Sequence, residues 1–147
     1  MSEMGHLLPS RMGWCHSRCT PDSCRPVAPP NFGSTGPQAD IRLLRVGGHF
    51  AGRTILHWRA AAGGKGALLV VDIATVTMDR RFVSFMYSYP NYIPLDAAAV
   101  RRIAEMVAPL AFDRVYGAWW GRTIASGGKA AFDASVKRYL AAIGTKE

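Results

Sequence analysis

Between residues 41 and 77 the apolar positions fall into three short runs parted by glycine. Ile41, Leu43, Leu44 and Val46 lead into Gly47-Gly48-His49. Thr54, Ile55, Leu56, His57 and Trp58 form a second run, rich in the β-branched and aromatic residues that suit a pleated surface. The third, ALLVV at 67–71, is wholly apolar, which predicts a strand covered on both faces. The segment RAAAGGKG between the last two is short and glycine-rich and predicts an antiparallel hairpin. The third run closes on Asp72, and a carboxylate at the end of a buried strand is costly unless it is paired or bound to a metal.

Further along, Val83, Phe85 and Tyr87 alternate with Ser84, Met86 and Ser88, the period of a short strand. Pro90 and Pro94 then impose an extended loop, YPNYIP. Its aromatic residues either cap the end of the sheet or line a ligand pocket. Asp96 is a helix N-cap, and Val100, Ile103, Ala104 and Val107 recur on one helical face while Arg101, Arg102 and Glu105 face away. Pro109 stops that helix. Residues 112–116 (FDRVY) predict a strand. Ser126-Gly127-Gly128 opens a last helix with Phe132, Val136, Tyr139, Leu140 and Ile143 as its apolar stripe, and Gly144 ends it. The order β-β-β-(β)-α-β-α predicts an α/β chain of α+β-like character: a mixed, mostly antiparallel sheet with two helices packed on one face.

Residues 1–38 differ in kind. They carry all three cysteines and most of the prolines without strand or helix periodicity, which predicts a disordered leader before a folded domain at 39–147. Cys15, His16, Cys19 and Cys24 are four ligand-type residues, but their spacing lacks the CxxC knuckle of a zinc site, so free thiols are expected. The 147 residues suffice for one domain. The net charge of +8 comes from scattered basic residues and not from a run of five or six, so nucleic acid is not the expected partner. No secretory signal or bilayer-length apolar run is visible, which makes the cytoplasm the expected location and reduced thiols the expected state.

The chemistry is narrow. There is no GxxxxGK[ST] phosphate loop and no GxSxG nucleophile elbow. His57 alternates with Leu56 and Trp58 and reads as an ordinary strand histidine. His49 follows two glycines at a strand end, where the backbone can turn sharply and present the imidazole to a cleft. Asp72 ends a later strand. A His and an Asp opening on one sheet edge suit zinc or iron, although a catalytic metal normally takes three or more protein ligands.

Strand-GGH-F-x-G-x-(T)-ILHW, a glycine loop and then GALLVVDIAT resemble the second half of the metallo-β-lactamase fold. In that superfamily a G-H-[ST]-x-G turn supplies a metal-binding histidine, matched here by His49. A strand ending L-x-x-[GS]-D supplies a metal-bridging aspartate, matched by Asp72. DRRFVSFMYSYPNYIPL, the helix after it and FDRVYGAWWGR look like one bacterial branch of metallo-hydrolase-like proteins. The likeness spans residues 41–143. It implies one half of a four-layer αββα sandwich, and zinc or another divalent metal activating water against an ester, amide, thioester or phosphoester of a small-molecule substrate. It places Tyr89, Asn91, Tyr92 and Trp119 on the pocket rim. The HxHxDH string of the first half is absent, and YGAWWG stands where a further histidine is expected. The expectation is therefore a truncated hydrolase with an impaired site. A half sandwich leaves an apolar sheet face open, so Leu44, Ile55, Leu69 or Val71 are expected to be more exposed than their type. The alternative is a non-catalytic α/β module that dimerises or docks through that face.

Overall fold

A computed structural model describes residues 40–144. The predicted leader, with Cys15, His16, Cys19 and Cys24, lies outside the described residues. The three apolar runs become an antiparallel meander of β1 (Ile41–Arg45), β2 (Thr54–Trp58) and β3 (Ala67–Val71), in which Leu44 faces Ile55 and Leu56 faces Leu69. Two small hairpins follow, β4 (Thr75–Val76) with β5 (Val83–Ser84) and β6 (Met86–Ser88) with β7 (Ile93–Pro94). Helix α1 (Ala97–Val107) returns the chain to β8 (Arg114–Gly117), which lies parallel to β3. β9 (Thr123–Ile124) and helix α2 (Gly128–Ala142) complete the described residues. The main sheet has the order β1-β2-β3-β8-β9, so the architecture is a mixed α+β fold.

The core lies between one sheet face and the two helices. Ile55, Leu68, Val70 and Val115 from the sheet are fully buried with Val100, Ile103 and Val107 of α1 and Phe132 of α2. Each such side chain contributes about 1.5–3 kcal/mol relative to exposure. Phe85 sits among them, edge-on to Phe132 and Tyr139 with ring centroids 5.9 and 5.3 Å away. The helix ends are satisfied as the sequence requires at α1, where the Asp96 carboxylate accepts the Ala99 N–H at 2.8 Å. At α2 the cap comes from a distance: Asp113 accepts the Gly127 N–H on its side chain and the Gly128 N–H on its carbonyl, both at 2.8 Å. Gly66 permits the β3–β8 approach, because a Cβ there would lie 2.3 Å from the Ala111 carbonyl oxygen.

Several expectations need correction. The alternating stretch around Val83 is two strands in two hairpins, because the chain breaks at Phe85 to bury that ring. β3 is not covered on both faces: Leu68 and Val70 are buried, Leu69 is half-buried and Val71 is exposed. Ile55 is fully buried and Leu44 half-buried, since this cross-strand pair faces the helices. The expectation holds for Val71, which is exposed, and in part for half-buried Leu69, while the rest of the open face belongs to the alternate positions of β1 and β2. Leu43 is 54% exposed, Trp58 42% and Ile41 40%, with Leu56 and Leu69 half-buried between them. β9 carries too few apolar residues to be seen in the sequence pattern.

Candidate functional site

Sheet direction decides where the candidate residues meet. β1 and β3 both run antiparallel to β2, and β8 runs parallel to β3. Residues that follow β1, β3 and β8 therefore leave the sheet at one edge. His49 follows β1, Asp72 follows β3 and Trp119 follows β8, although β2 separates the first two strands.

The turn after β1 needs its glycines. Gly48 has φ +94°, and a Cβ there would press to 3.1 Å from the Ile103 side chain. This tight passage over α1 delivers His49 to the edge. Its Nδ1 lies 3.2 Å from the Met86 carbonyl oxygen. A carbonyl only accepts, so Nδ1 is the donor, and in the neutral tautomer that this selects the lone pair lies on Nε2. That is the tautomer a metal-binding histidine uses when its far nitrogen donates to a carbonyl.

Asp72 is aimed by an unusual backbone. The β3–β8 register shifts between Leu69 and Val71, and Val71 adopts φ +49° in a turn closed by the Ile73 N–H on the Val70 carbonyl at 3.0 Å. A β-branched residue in the left-handed region is a true outlier, and such strain gathers at functional sites. The turn carries Asp72 out of the strand line and onto Arg53, whose guanidinium pairs with one carboxylate oxygen. The other oxygen, Oδ1, is buried without a hydrogen-bond partner, and so is Arg53 Nε.

Tyr89 joins the two halves. Its ring centroid is 5.6 Å from that of His49, and its hydroxyl donates to the Asp72 carbonyl at 2.9 Å. Burial pushes the phenol above its ordinary range, against a hydrogen bond with Thr75 that pulls it down, so it stays a neutral donor. Phe50 closes the circuit, with its ring 6.0 Å from His49 and the Arg53 guanidinium carbon 4.7 Å from its centroid. His49, Phe50, Arg53, Asp72 and Tyr89 thus form one connected cluster.

The other rim candidates sit further out. Tyr92 follows Pro90 and Asn91 in a turn with φ +53° and is 85% exposed. Asn91 donates to the Ser88 hydroxyl at 3.1 Å. Trp119 and Trp120 occupy the exposed β8–β9 turn, which the Arg122 N–H closes on the Trp119 carbonyl at 3.0 Å. Among these, Tyr89 alone touches both His49 and Asp72 in the described residues. His57 is structural: it is buried and its Nε2 donates to the Ala111 carbonyl at 2.8 Å. Sequence reasoning missed Arg53 and Phe50, whose only signal was nearness to His49 in GGHFAGR.

The donor chemistry suits a metal at two points, the free Nε2 of His49 and the orphaned Oδ1 of Asp72. Among the described residues no group of three or more His, Cys, Asp or Glu side chains stands close enough to enclose an ion. His49 and Asp72 by themselves do not enclose an ion, and the Asp72 carboxylate is already paired with Arg53. No helix among the described residues is long and apolar enough to cross a membrane.

The chain is 46% identical over 106 residues to the uncharacterized protein YmaE of Bacillus subtilis (strain 168). The match takes in 72% of this chain and 38% of that relative, so the chain spans well under half the length of the protein it resembles. No protein-family model and no solved structure matches the chain.

Proposed function

We propose that this chain is one sheet layer of a metallo-β-lactamase-like hydrolase, acting in the cytoplasm and contributing His49 and Asp72 to a divalent-metal site. The observation that carries the reading is the convergence of both residues on Tyr89 at one sheet edge. The metal, when bound, would acidify its water and polarise the scissile bond of an ester, amide or thioester. The protein's own part is to hold the His49 ring through Met86 and to present Asp72 on its strained turn. Tyr89, neutral and fixed between them, gives its one O–H to the Asp72 carbonyl and so braces that turn. Tyr92 and Trp119 would form the outer rim of the substrate pocket, with Asn91 between. Two ligands bind metal weakly, so this chain by itself should hold cobalt or zinc loosely and turn over ester slowly or not at all.

The test is equilibrium dialysis of the purified chain against excess cobalt, alongside His49→Ala and Asp72→Asn. Uptake that falls in both variants supports the reading. Uptake unchanged by either substitution would sink it.

A specific observation favours a second reading, the non-catalytic module that dimerises or docks through its sheet. Leu43, Leu56, Leu69 and Tyr116 form one cross-strand row on the face away from the helices, beside Ile41 and Trp58. Contiguous apolar surface of this kind marks an interaction site. Light scattering after size-exclusion chromatography separates the two. Self-association abolished by Leu43→Lys with Trp58→Lys favours the module, and a clean monomer that binds no hydrophobic dye counts against it.

A further inference from the structure

Independently of any ligand at His49 and Asp72, we propose that this edge of the sheet docks on an anionic lipid bilayer. Phe50, Tyr92, Trp119 and Trp120 enter the interface, and Arg45 and Arg102 meet the headgroups.

Three turns bring their tips to the edge. The β1–β2 turn carries Phe50 and the β8–β9 turn carries Trp119 and Trp120. Both leave the sheet on the same side, because β1 and β8 run in the same direction. The β6–β7 turn reaches that edge through Tyr89, which touches the His49 ring and donates to the Asp72 carbonyl, and it carries Tyr92. Trp120 is fully exposed, Tyr92 nearly so, and Phe50 and Trp119 are each more than half exposed. Each turn is closed by its own backbone hydrogen bond. The Phe50 carbonyl accepts the Arg53 N–H at 3.0 Å, the Tyr89 carbonyl the Tyr92 N–H at 3.2 Å, and the Trp119 carbonyl the Arg122 N–H at 3.0 Å. The rings are thus held outward on built turns. Single exposed apolar residues are ordinary, but four aromatics on three turns at one edge mark an interaction surface. None of the four belongs to the core.

Charge selects the occupant. Arg45 and Arg102 are exposed and lie against the β1–β2 turn. Arg45 Nε donates to the Ala51 carbonyl and Arg102 Nε to the Val46 carbonyl, both at 3.4 Å. The carboxylates of the neighbouring segments are already engaged, Asp72 by Arg53 and Asp96 by the Ala99 N–H. The charge these segments offer to a partner is therefore positive, on a chain of net charge +8. An anionic bilayer matches both properties. Its headgroup layer is where indole and phenol rings settle, with the apolar body inward and the polar tip in water, and its negative potential attracts arginine. Nucleic acid fits less well. Bases stack on rings that line a basic groove, whereas Trp120 stands clear of the protein.

The experiment sediments the full chain with vesicles of phosphatidylcholine alone and of an equal mixture of phosphatidylcholine and phosphatidylglycerol, at low and high salt. Trp119→Ser/Trp120→Ser, Arg45→Gln/Arg102→Gln and, on the sheet face, Leu43→Ser run alongside, with thermal midpoints to check folding. Arg45→Gln alone stands in should the arginine pair not fold. The expected result is binding to the mixed vesicles and not to phosphatidylcholine, weakened by salt. Affinity falls about tenfold or more in the tryptophan variant and about fivefold for each arginine removed. Leu43→Ser binds like the parent. Absence of binding to either vesicle overturns the proposal, and so does equal binding to both. Binding that survives loss of both tryptophans also overturns it, since net charge alone then accounts for the attraction. Loss in Leu43→Ser with the tryptophan variant unchanged moves the surface to the sheet face. A single-stranded oligonucleotide bound through the tryptophans, with vesicles left unbound, gives the edge to nucleic acid instead.

Discussion

Val71 is the residue on which the candidate edge turns. Its φ of +49° costs it the comfort of a strand and swings Asp72 toward Arg53. Glycine in a strand is usually destabilising, but here the sign should reverse. Val71→Gly is expected to leave stability unchanged or raise it by about 1 kcal/mol, measured by urea unfolding, because it relieves a left-handed β-branched residue. A loss of several kcal/mol would mean that the Val71 side chain matters more than its backbone. His49 could be read from its double glycine, since that pattern announces a sharp turn wherever it occurs. Arg53 could not, because an arginine beside a histidine in sequence says nothing of a carboxylate 19 residues on.

At the scale of elements, direction and caps do the positioning. The Asp96 cap is local, since the accepting carboxylate and the donor N–H are three residues apart, and it was legible for that reason. Asp96→Ala should cost about 1 kcal/mol of stability. The Asp113 cap is different, because it ties β8 to the start of α2 across 14 residues. Asp113→Ala removes the side-chain acceptor of a helix that has no cap of its own, and the expected loss is about 1–2 kcal/mol by denaturant titration. Strand pairing followed the same division. The β2–β3 hairpin was written in a glycine loop. The β3–β8 pairing depended on a crossover through two hairpins and α1, which no local pattern encodes.

For the molecule as a whole, two half-buried phenols link the packing to pH. Burial raises Tyr89 at the sheet edge, and burial likewise raises Tyr139, whose hydroxyl donates to the Leu95 carbonyl at 3.0 Å. An unfolded tyrosine ionises near pH 10. Above that pH the unfolded chain releases protons that the folded chain retains. Stability is therefore fully present below pH 10 and lost as pH rises through the folded-state values. Urea midpoints should hold from about pH 7 to 9 and fall beyond about pH 10. Tyr139→Phe should flatten that fall while costing about 1 kcal/mol at neutral pH for its lost hydrogen bond. A midpoint that stays level to pH 11 would contradict the burial argument.

Hydrophobic periodicity and glycine placement were enough to reveal the three strands of the meander, both helices and the mixed class of the fold. All of these are written in near neighbours along the chain, where spacing alone sets which side chains share a face. Three matters needed tertiary structure: that β1, β3 and β8 release their chains at one edge, that Arg53 is the partner of Asp72, and that Ile41, Leu43 and Trp58 rather than Ile55 line the open face. Each depends on which strands run together and which face the helices choose. Those choices are made by the packing of distant segments, whose joint free energy no single stretch of sequence carries.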